Sequence, residues 1–202
     1  MKKRTASEKT RREILAAALK LFTEKGFYSS TIKDLAELVS LSVGAVYNHF
    51  NSKEEIAYVL FKESISLFKK ALADSTRESR NPKDFVIRTV KTVLIFSQKN
   101  IRISKYLWLC RHDEFLREFA SNPSLLTYDE FGKLFSRHIN FARKNKLIKP
   151  YPPAVIWTII FGVPLSYIRD WLDNLIKLEP SRVSNMLSEA VWMALQFSNP
   201  AS

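Results

Sequence analysis

Apolar residues recur every three or four positions along most of this 202-residue chain, which is the spacing of one face of an α-helix. The sequence has four glycines, no Asn-Gly or Asp-Gly pair and no long alternation of apolar and polar residues, so β-hairpins have little support. Proline and capping residues divide the chain into predicted helices at about 7–25, 32–39, 43–49, 53–73, 82–98, 101–111, 124–146, 153–176 and 180–197. The sequence therefore predicts an all-α protein.

The segment 31–56 has the layout of a helix-turn-helix motif, in which two short helices meet at a turn of three residues, 40–42. Thr31 and Ser42 are residue types that cap helix N-termini, and Ser52 with Glu55 forms a capping box that starts a longer helix. The second helix of such a motif enters the major groove of DNA. This segment is therefore a predicted DNA-binding element.

Within the second helix of the motif, Val43, Val46 and Phe50 share one face and are expected to pack against the first two helices. The outward side chains are small or polar, so they allow close approach to base edges or donate hydrogen bonds to phosphates. The candidate DNA-contacting residues are Thr31, Ser42, Gly44, Ala45, Tyr47, Asn48, His49 and Lys53. Because residues 42–50 contain no Arg, Lys or Gln, bidentate base contacts from this helix depend on Asn48, and DNA shape is an alternative source of specificity.

A tight helical hairpin explains the same pattern without DNA. Three-residue turns also join helices in ordinary bundles, and Tyr47 and Phe50 would then lie in the core.

The composition indicates the cellular compartment and the class of partner. A single cysteine, Cys110, excludes a disulfide within the chain and favours a reducing cytoplasm. The most apolar segment, 154–165, is 12 residues long, whereas a membrane span needs about 18 or more. The formal net charge of +12 favours an anionic partner such as nucleic acid. Only the first 12 residues are sharply basic, and they are either a phosphate-binding arm or a solubilising terminus. We predict a soluble cytoplasmic protein without a membrane partner.

The sequence around the motif carries a family resemblance. Residues 12–56, REILAAALKLFTEKGFYSSTIKDLAELVSLSVGAVYNHFNSKEEI, resemble the DNA-binding domain of the tetracycline-repressor (TetR) family of transcriptional regulators. The matching elements are Ala-x-x-Leu-Phe at 18–22, Gly-Phe at 26–27, the threonine cap at 31, Tyr-x-His-Phe at 47–50 and Ser-Lys-Glu at 52–54. Ser40 departs from the family, which often has glycine in this turn. The rest of the chain resembles the family in length and helical character.

The resemblance implies a homodimeric one-component regulator, usually a repressor, that binds a pseudo-palindromic operator in double-stranded DNA and is released by a small molecule. It implies phosphate contacts from Thr31, Tyr47, His49 and Lys53, and it places Ser42, Gly44 and Ala45 nearest the bases. It also implies a helix-turn-helix domain at 1–52 and a helical effector-binding and dimerisation domain at 53–202, with the helix 53–73 as connector.

Aromatic residues are frequent in the second domain and are candidates for the lining of an apolar effector cavity, although each alone is more often a core residue. The candidate ligand-binding residues are Trp108, Phe115, Phe119, Tyr128, Phe131, Phe135 and Phe161. The region 99–149 has 11 Lys or Arg against 5 Asp or Glu, which favours a hydrophobic, anionic, fatty acyl-like ligand over a cationic one, although surface solubility explains the excess equally well.

The last two helices carry apolar residues on more than one face, so they have more apolar surface than one small domain needs. The family forms a four-helix dimer interface from its last two long helices, and a monomer with a thick core is the alternative. The candidate interface residues are Trp157, Ile168, Trp171, Leu175, Val183, Leu187, Ala190 and Ala194. Within the first of these helices, Pro164 beside Gly162 predicts a kink.

Catalytic and metal sites have no support in the sequence, and we predict no cofactor. Cys110, His112 and Asp113 are neighbours on a predicted helix and point in different directions, and no His-x-x-x-His pair occurs. An all-helical enzyme should show a converging nucleophile, base or carboxylate pair, and none is evident. A ligand-independent architectural DNA-binding protein also remains open, although it would not need an aromatic-rich second domain.

Overall fold

The computed structural model describes residues 2–109 and 130–197, with side chains from residue 6 onward. Its helices are α1 (Lys2–Lys25), α2 (Ile32–Leu38), α3 (Val43–Tyr47), α4 (Lys53–Thr76), α5 (Pro82–Lys99), α6 (Ile101–Ser104), α7 (Glu130–Lys144), α8 (Pro153–Leu172) and α9 (Pro180–Leu195). A π-helical turn, Lys105–Leu109, continues α6. Within these ranges the extended pairing is one isolated antiparallel bridge, between Ile148 and Gln196. The predicted all-α fold is confirmed.

The described residues form two compact units. The N-terminal unit comprises residues 2–66 and 102–109, and the C-terminal unit comprises Leu67–Ile101 and residues 130–197. The division falls inside α4, after Ser66. The functional boundary predicted at residue 52 remains a prediction.

The core of the N-terminal unit is built from the apolar faces that the helical spacing predicts. Ile14 and Phe22 of α1, Leu35 of α2 and Val46 of α3 are all buried. The expectation that Val43 packs with them is wrong, because Val43, at the first position of α3, is 39% exposed.

Two hydrogen bonds close the end of α2 in a Schellman motif, which requires a residue in the left-handed conformation. The Leu41 amide donates to the Ala36 carbonyl at 2.9 Å, and the Ser40 amide donates to the Glu37 carbonyl at 3.2 Å. Ser40 itself has φ of 54°, so the departure from the family's glycine leaves a serine in a glycine-favouring conformation.

The same hydrogen-bond pattern follows α7 and α8, with Lys146 (φ 53°) and Asn174 (φ 60°) in the left-handed position. This ending explains why α8 stops at Leu172 and not near Ile176, as the apolar pattern predicts.

Replacing Ser40 by glycine is expected to stabilise the protein by about 0.5–1 kcal/mol. A non-glycine residue in the left-handed region costs roughly 1–2 kcal/mol, and the extra freedom of glycine in the unfolded chain offsets part of the gain. Denaturant unfolding measures the change. Asn174→Gly is the matched control and should change stability little, because asparagine tolerates this conformation. A destabilised Ser40→Gly protein would show that the serine side chain is needed in the turn.

The C-terminal unit is organised around α5. Its residues Phe85, Val90 and Leu94 have no exposed surface, and α5 packs extensively along α9. The helix begins as its sequence predicts, with Pro82 in the first turn and the Asn81 side chain accepting a hydrogen bond from the Asp84 amide at 2.9 Å.

α8 contains a π-helical turn, Thr158–Gly162, at the place where the kink is predicted. Pro164 lies two residues after the end of this turn. Its ring would clash with the carbonyl of Ile160 in a regular α-helix and it has no N–H to donate, so a wider turn relieves both problems.

By length and composition alone, α8 is apolar enough to cross a membrane, with a mean hydropathy of 1.2. A single such helix is weak evidence, since core helices of soluble proteins have the same properties. In this structure α8 packs against α5 and α9.

Candidate nucleic-acid interface and effector domain

A reciprocal cap holds the start of α2 at Thr31. The Thr31 hydroxyl accepts from the Asp34 amide at 3.1 Å, and the Asp34 carboxylate accepts from the Thr31 amide at 2.8 Å. The Lys25 ammonium also donates to this carboxylate at 2.8 Å. These hydrogen bonds, that from Lys25 foremost, lower the pKa of Asp34 to about 2. Thr31 is exposed, and its hydroxyl proton can still be donated to a phosphate.

The recognition surface, defined here as Ser42, Gly44, Ala45, Tyr47 and Asn48, lies on α3 and its caps. The Ser42 hydroxyl caps the helix by accepting from the Ala45 amide at 3.1 Å. Four of these residues are exposed and Ala45 is partly exposed, whereas Val46 and Phe50 anchor the opposite side in the core. His49, the remaining candidate in this segment, is half-buried at the edge of the surface.

Gly44 has open space on this surface. Apart from its chain neighbours and the backbone of its own helix, the nearest heavy atom to a Cβ built on it would be the Ser42 hydroxyl oxygen, at 4.0 Å. The fold therefore does not require glycine here. A glycine at this position would instead allow another molecule to approach the backbone of α3 closely.

Tyr47 and Phe50 separate the two explanations of the motif. Phe50 is buried, as both the hairpin and the DNA-binding interpretations expect. Tyr47 is 50% exposed, so it is not the core residue that a purely structural hairpin requires.

Lys53, at the first position of α4, has a structural role that sequence reasoning missed. Its ammonium donates to the carbonyls of Phe27 at 2.8 Å and Ser30 at 2.9 Å, and it lies 4.3 Å from the centre of the Phe27 ring. We call this arrangement the Lys53 clamp. It ties the α1–α2 connection to α4 and uses two of the three N–H donors of the ammonium. Because carbonyls of any residue type can accept, the sequence holds no signal for it.

The predicted effector residues are only partly described. Phe115, Phe119 and Tyr128 lie outside the described residues, and Trp108 is a half-buried residue of the N-terminal unit. The structure brings Phe131, Phe135 and Phe161 together in the C-terminal unit, with ring centres 6.1–6.5 Å apart.

Two further rings join these three, and we call the five the aromatic cluster. Phe85 lies 5.9 Å from Phe131, and Trp157 lies 4.3 Å from Phe161. Trp157 is one of the predicted interface residues, and this contact gives it a partner within its own chain.

A histidine stacks on the aromatic cluster. The His138 ring lies 4.6 Å from the Phe85 ring at an angle of 14°. Burial lowers the pKa of His138, and the neighbouring Arg137 lowers it further, while Asp84 acts in the opposite direction. The imidazole therefore stays neutral around pH 7 and contributes to the cluster as an aromatic ring.

The predicted interface residues fall into two groups. Ile168 and Val183 are buried within the single chain, so in this structure they are core residues. Ala190, Ala194 and Leu175 are exposed, and Trp157, Trp171 and Leu187 are half-buried.

Sequence reasoning missed two methionines on α9. Met186 is 71% exposed and Met193 is 68% exposed. They lie seven residues apart, two helical turns along one face of the helix, with Ala190 between them. We call these three residues the α9 stripe. The sequence does not show which apolar face of α9 is exposed, because the apolar residues of α9 occur on several faces.

A metal site finds no support in the part of the chain that the structure describes, where no three metal-ligating side chains come together. Cys110, His112 and Asp113 lie outside that part.

The helix-turn-helix segment decides the family. Residues 14–58 match the family model of bacterial regulatory proteins, tetR family. This segment is a TetR-family DNA-binding domain, so the chain is a TetR-type transcriptional regulator. The curated relatives that match it are regulators of transcription.

Curated relatives extend the match to different lengths. The regulator HbdR of Aromatoleum sp. (strain CIB) is 32% identical over 65 residues, which are 32% of this chain and 28% of HbdR. The fatty acid metabolism regulator protein of Bacillus subtilis (strain 168) is 23% identical over 180 residues, which are 89% of this chain and 80% of that protein.

Solved structures of TetR-family regulators share the fold across nearly the whole chain. A regulator from Marinobacter aquaeolei VT8 has a TM-score of 0.79 at 18% identity, with 98% of this chain and 100% of that chain covered. FadR from Bacillus subtilis, solved in complex with stearoyl-CoA, has a TM-score of 0.77 at 18% identity, with 91% and 98% covered.

Proposed function

We propose that this TetR-family regulator is a dimeric repressor that binds a pseudo-palindromic operator and is released by a fatty acyl-like, anionic ligand. The observation that carries the DNA-binding part is the recognition surface on α3. Its side chains are exposed or small, and its opposite side is anchored by Val46 and Phe50. Thr31, Tyr47, His49 and Lys53 would hold phosphates. Ser42, Gly44 and Ala45 would lie nearest the bases, and Asn48 would supply a bidentate base contact.

The α9 stripe supports the dimeric state. A soluble monomer gains nothing from a row of exposed methionines on a long helix, whereas a second copy of the same helix would bury them. In this proposal the border of the interface is formed by Trp171, Leu187, Ala194 and Leu175. The buried residues Ile168 and Val183 pack in the core of the chain and hold the interface helices in place.

The ligand class rests on two kinds of support. The aromatic cluster supplies apolar surface in the C-terminal unit, and residues 131–151 hold six Lys or Arg and no Asp or Glu, which favours an anion. The similarity to the fatty acid metabolism regulator along most of both chains points to an acyl compound.

To test release, stearoyl-CoA is added to the complex of the protein with a fluorescent DNA duplex, whose sequence is first obtained by selecting binding sites from random DNA. We expect DNA affinity to fall about 5- to 150-fold, the usual range of coupling between two sites. CoA alone and stearyl alcohol are the controls for the two halves of the ligand and should have less effect. If stearoyl-CoA and a panel of other acyl compounds leave DNA affinity unchanged, the protein is better described as a ligand-independent DNA-binding protein.

A substitution in the aromatic cluster tests where the ligand binds. Phe131 is buried against Phe85, Phe135 and Phe161, so Phe131→Trp adds volume at the expected binding region. We expect this variant to lose the response to stearoyl-CoA while its DNA affinity stays nearly unchanged. A full response would place the ligand elsewhere.

Replacing Gly44 by alanine separates DNA binding from folding. Alanine is expected to stabilise the helix by about 0.5–1 kcal/mol. The added methyl group should nevertheless weaken DNA binding about tenfold or more, because it projects from the recognition surface. Gly162→Ala is the control, since its Cβ would meet Thr158 at an ordinary 3.5 Å, and DNA affinity should not change. Unchanged DNA affinity in Gly44→Ala would remove α3 from the base-contacting role.

A further inference from the structure

An open pocket of about 420 Å³ lies in the C-terminal unit between the start of α5, the connection that follows α7 and the end of α9. Trp192 is a mostly buried wall, and Leu147 and Phe197 line the pocket although they are 41% and 45% exposed. The volume falls in the range of small-molecule sites, roughly 300–1,000 Å³. The pocket shares no residue with the aromatic cluster.

The polar lining residues of the pocket are two lysines and two amide residues. Lys83, Lys146, Asn81 and Gln196 line it, and none of the lining residues is acidic. Glu189 pairs with Lys83 from outside the lining at 3.0 Å. Lys83 is therefore partly neutralised, and with Lys146 the lining keeps a net positive charge that favours an anion.

The walls of the pocket are held in place without a ligand. The Lys149 amide donates to the Leu195 carbonyl at 2.8 Å, and the Phe197 amide donates to the Leu147 carbonyl at 3.1 Å. These bonds flank the bridge between Ile148 and Gln196, so the connection after α7 is fastened to the end of α9. A preformed site of this kind loses little conformational entropy when it binds.

We propose that this pocket binds a small organic anion with a flat apolar body, of the aryl carboxylate class. The carboxylate lies between Lys83 and Lys146, and the ring packs on Trp192 and Leu147. Neither the operator nor the acyl ligand enters this inference, so it stands or falls separately from the proposed function.

The test titrates the full-length protein with 2-naphthoate and follows binding by calorimetry. The neutral analogue 2-naphthalenemethanol should bind at least tenfold more weakly, because it lacks the charge that the lysines recognise. Lys146→Gly should weaken 2-naphthoate binding about fivefold or more, and glycine suits the positive φ at this position. Lys177→Gln, an exposed lysine outside the lining, is the matched control and should stay within about twofold.

Leu147→Trp, which fills the pocket, should abolish binding, and thermal unfolding checks that each variant is folded. Any of three results would overturn the proposal: no binding of 2-naphthoate at millimolar concentration, equal binding of the neutral alcohol, or unchanged binding in folded Leu147→Trp.

Discussion

A protein that carries both Met186→Glu and Met193→Glu is expected to sediment as a monomer and to lose most of its affinity for operator DNA. The two methionines are exposed on one face of α9, and in the proposed dimer they meet a second copy of the same helix. Four carboxylates would then face a dry interface, where unpaired charges cost several kcal/mol. We expect the dissociation constant of the dimer to rise about 1,000-fold or more.

The matched control carries Phe141→Glu and Leu67→Glu, which place the same charges at 55% and 45% exposed apolar residues of the same unit. This control should remain a dimer. A dimeric Met186→Glu/Met193→Glu protein in sedimentation velocity would show that the α9 stripe lies outside the interface, and it would favour a different dimer surface.

The second large effect is expected at Lys53. Lys53→Met keeps the apolar stem but removes the donors of the Lys53 clamp, so two carbonyls lose a charged partner and the Phe27 ring loses a cation. Hydrogen bonds to charged groups and cation–π contacts of this kind together contribute about 2–3 kcal/mol to stability. DNA affinity should fall as well, both through a lost phosphate contact and through a looser α1–α2 connection.

Two measurements separate these roles of Lys53. Denaturant unfolding reports the clamp, and the slope of log affinity against log salt concentration should decrease by about 1 if the ammonium also contacts a phosphate. Tyr47→Ala is the comparison, because it should weaken DNA binding on all sequences and leave stability nearly unchanged. Unchanged stability in Lys53→Met contradicts the clamp, and an unchanged salt slope contradicts the phosphate contact.

The helices and the DNA-binding segment could be predicted because their signals are local. Thr31, Ser42 and Asn81 cap their helices as their residue types indicate, and the spacing of Ile14 and Phe22 places both in the core. Such features depend on neighbours within a few residues, so one sequence is enough to find them.

Features that depend on distant contacts could not be predicted in the same way. Ile168 and Met193 are both apolar residues of amphipathic helices, yet one is buried within the chain and the other is exposed. Tertiary packing decides which apolar face of a helix packs against the chain's own α5. The spacing of apolar residues within one helix does not carry that information. The Lys53 clamp was missed for the same reason, because its acceptors lie 23 and 26 residues earlier in the sequence.

The central claim is that two copies of this chain read an inverted repeat through α3. Selection of binding sites from random double-stranded DNA, followed by sedimentation of the protein on the recovered duplex, tests it most directly. We expect an inverted repeat whose half-site centres are separated by about 34–36 Å or a multiple of it, bound by at least two chains. Recovered sequences without an inverted repeat, or a saturated complex with one chain per duplex, would contradict the account.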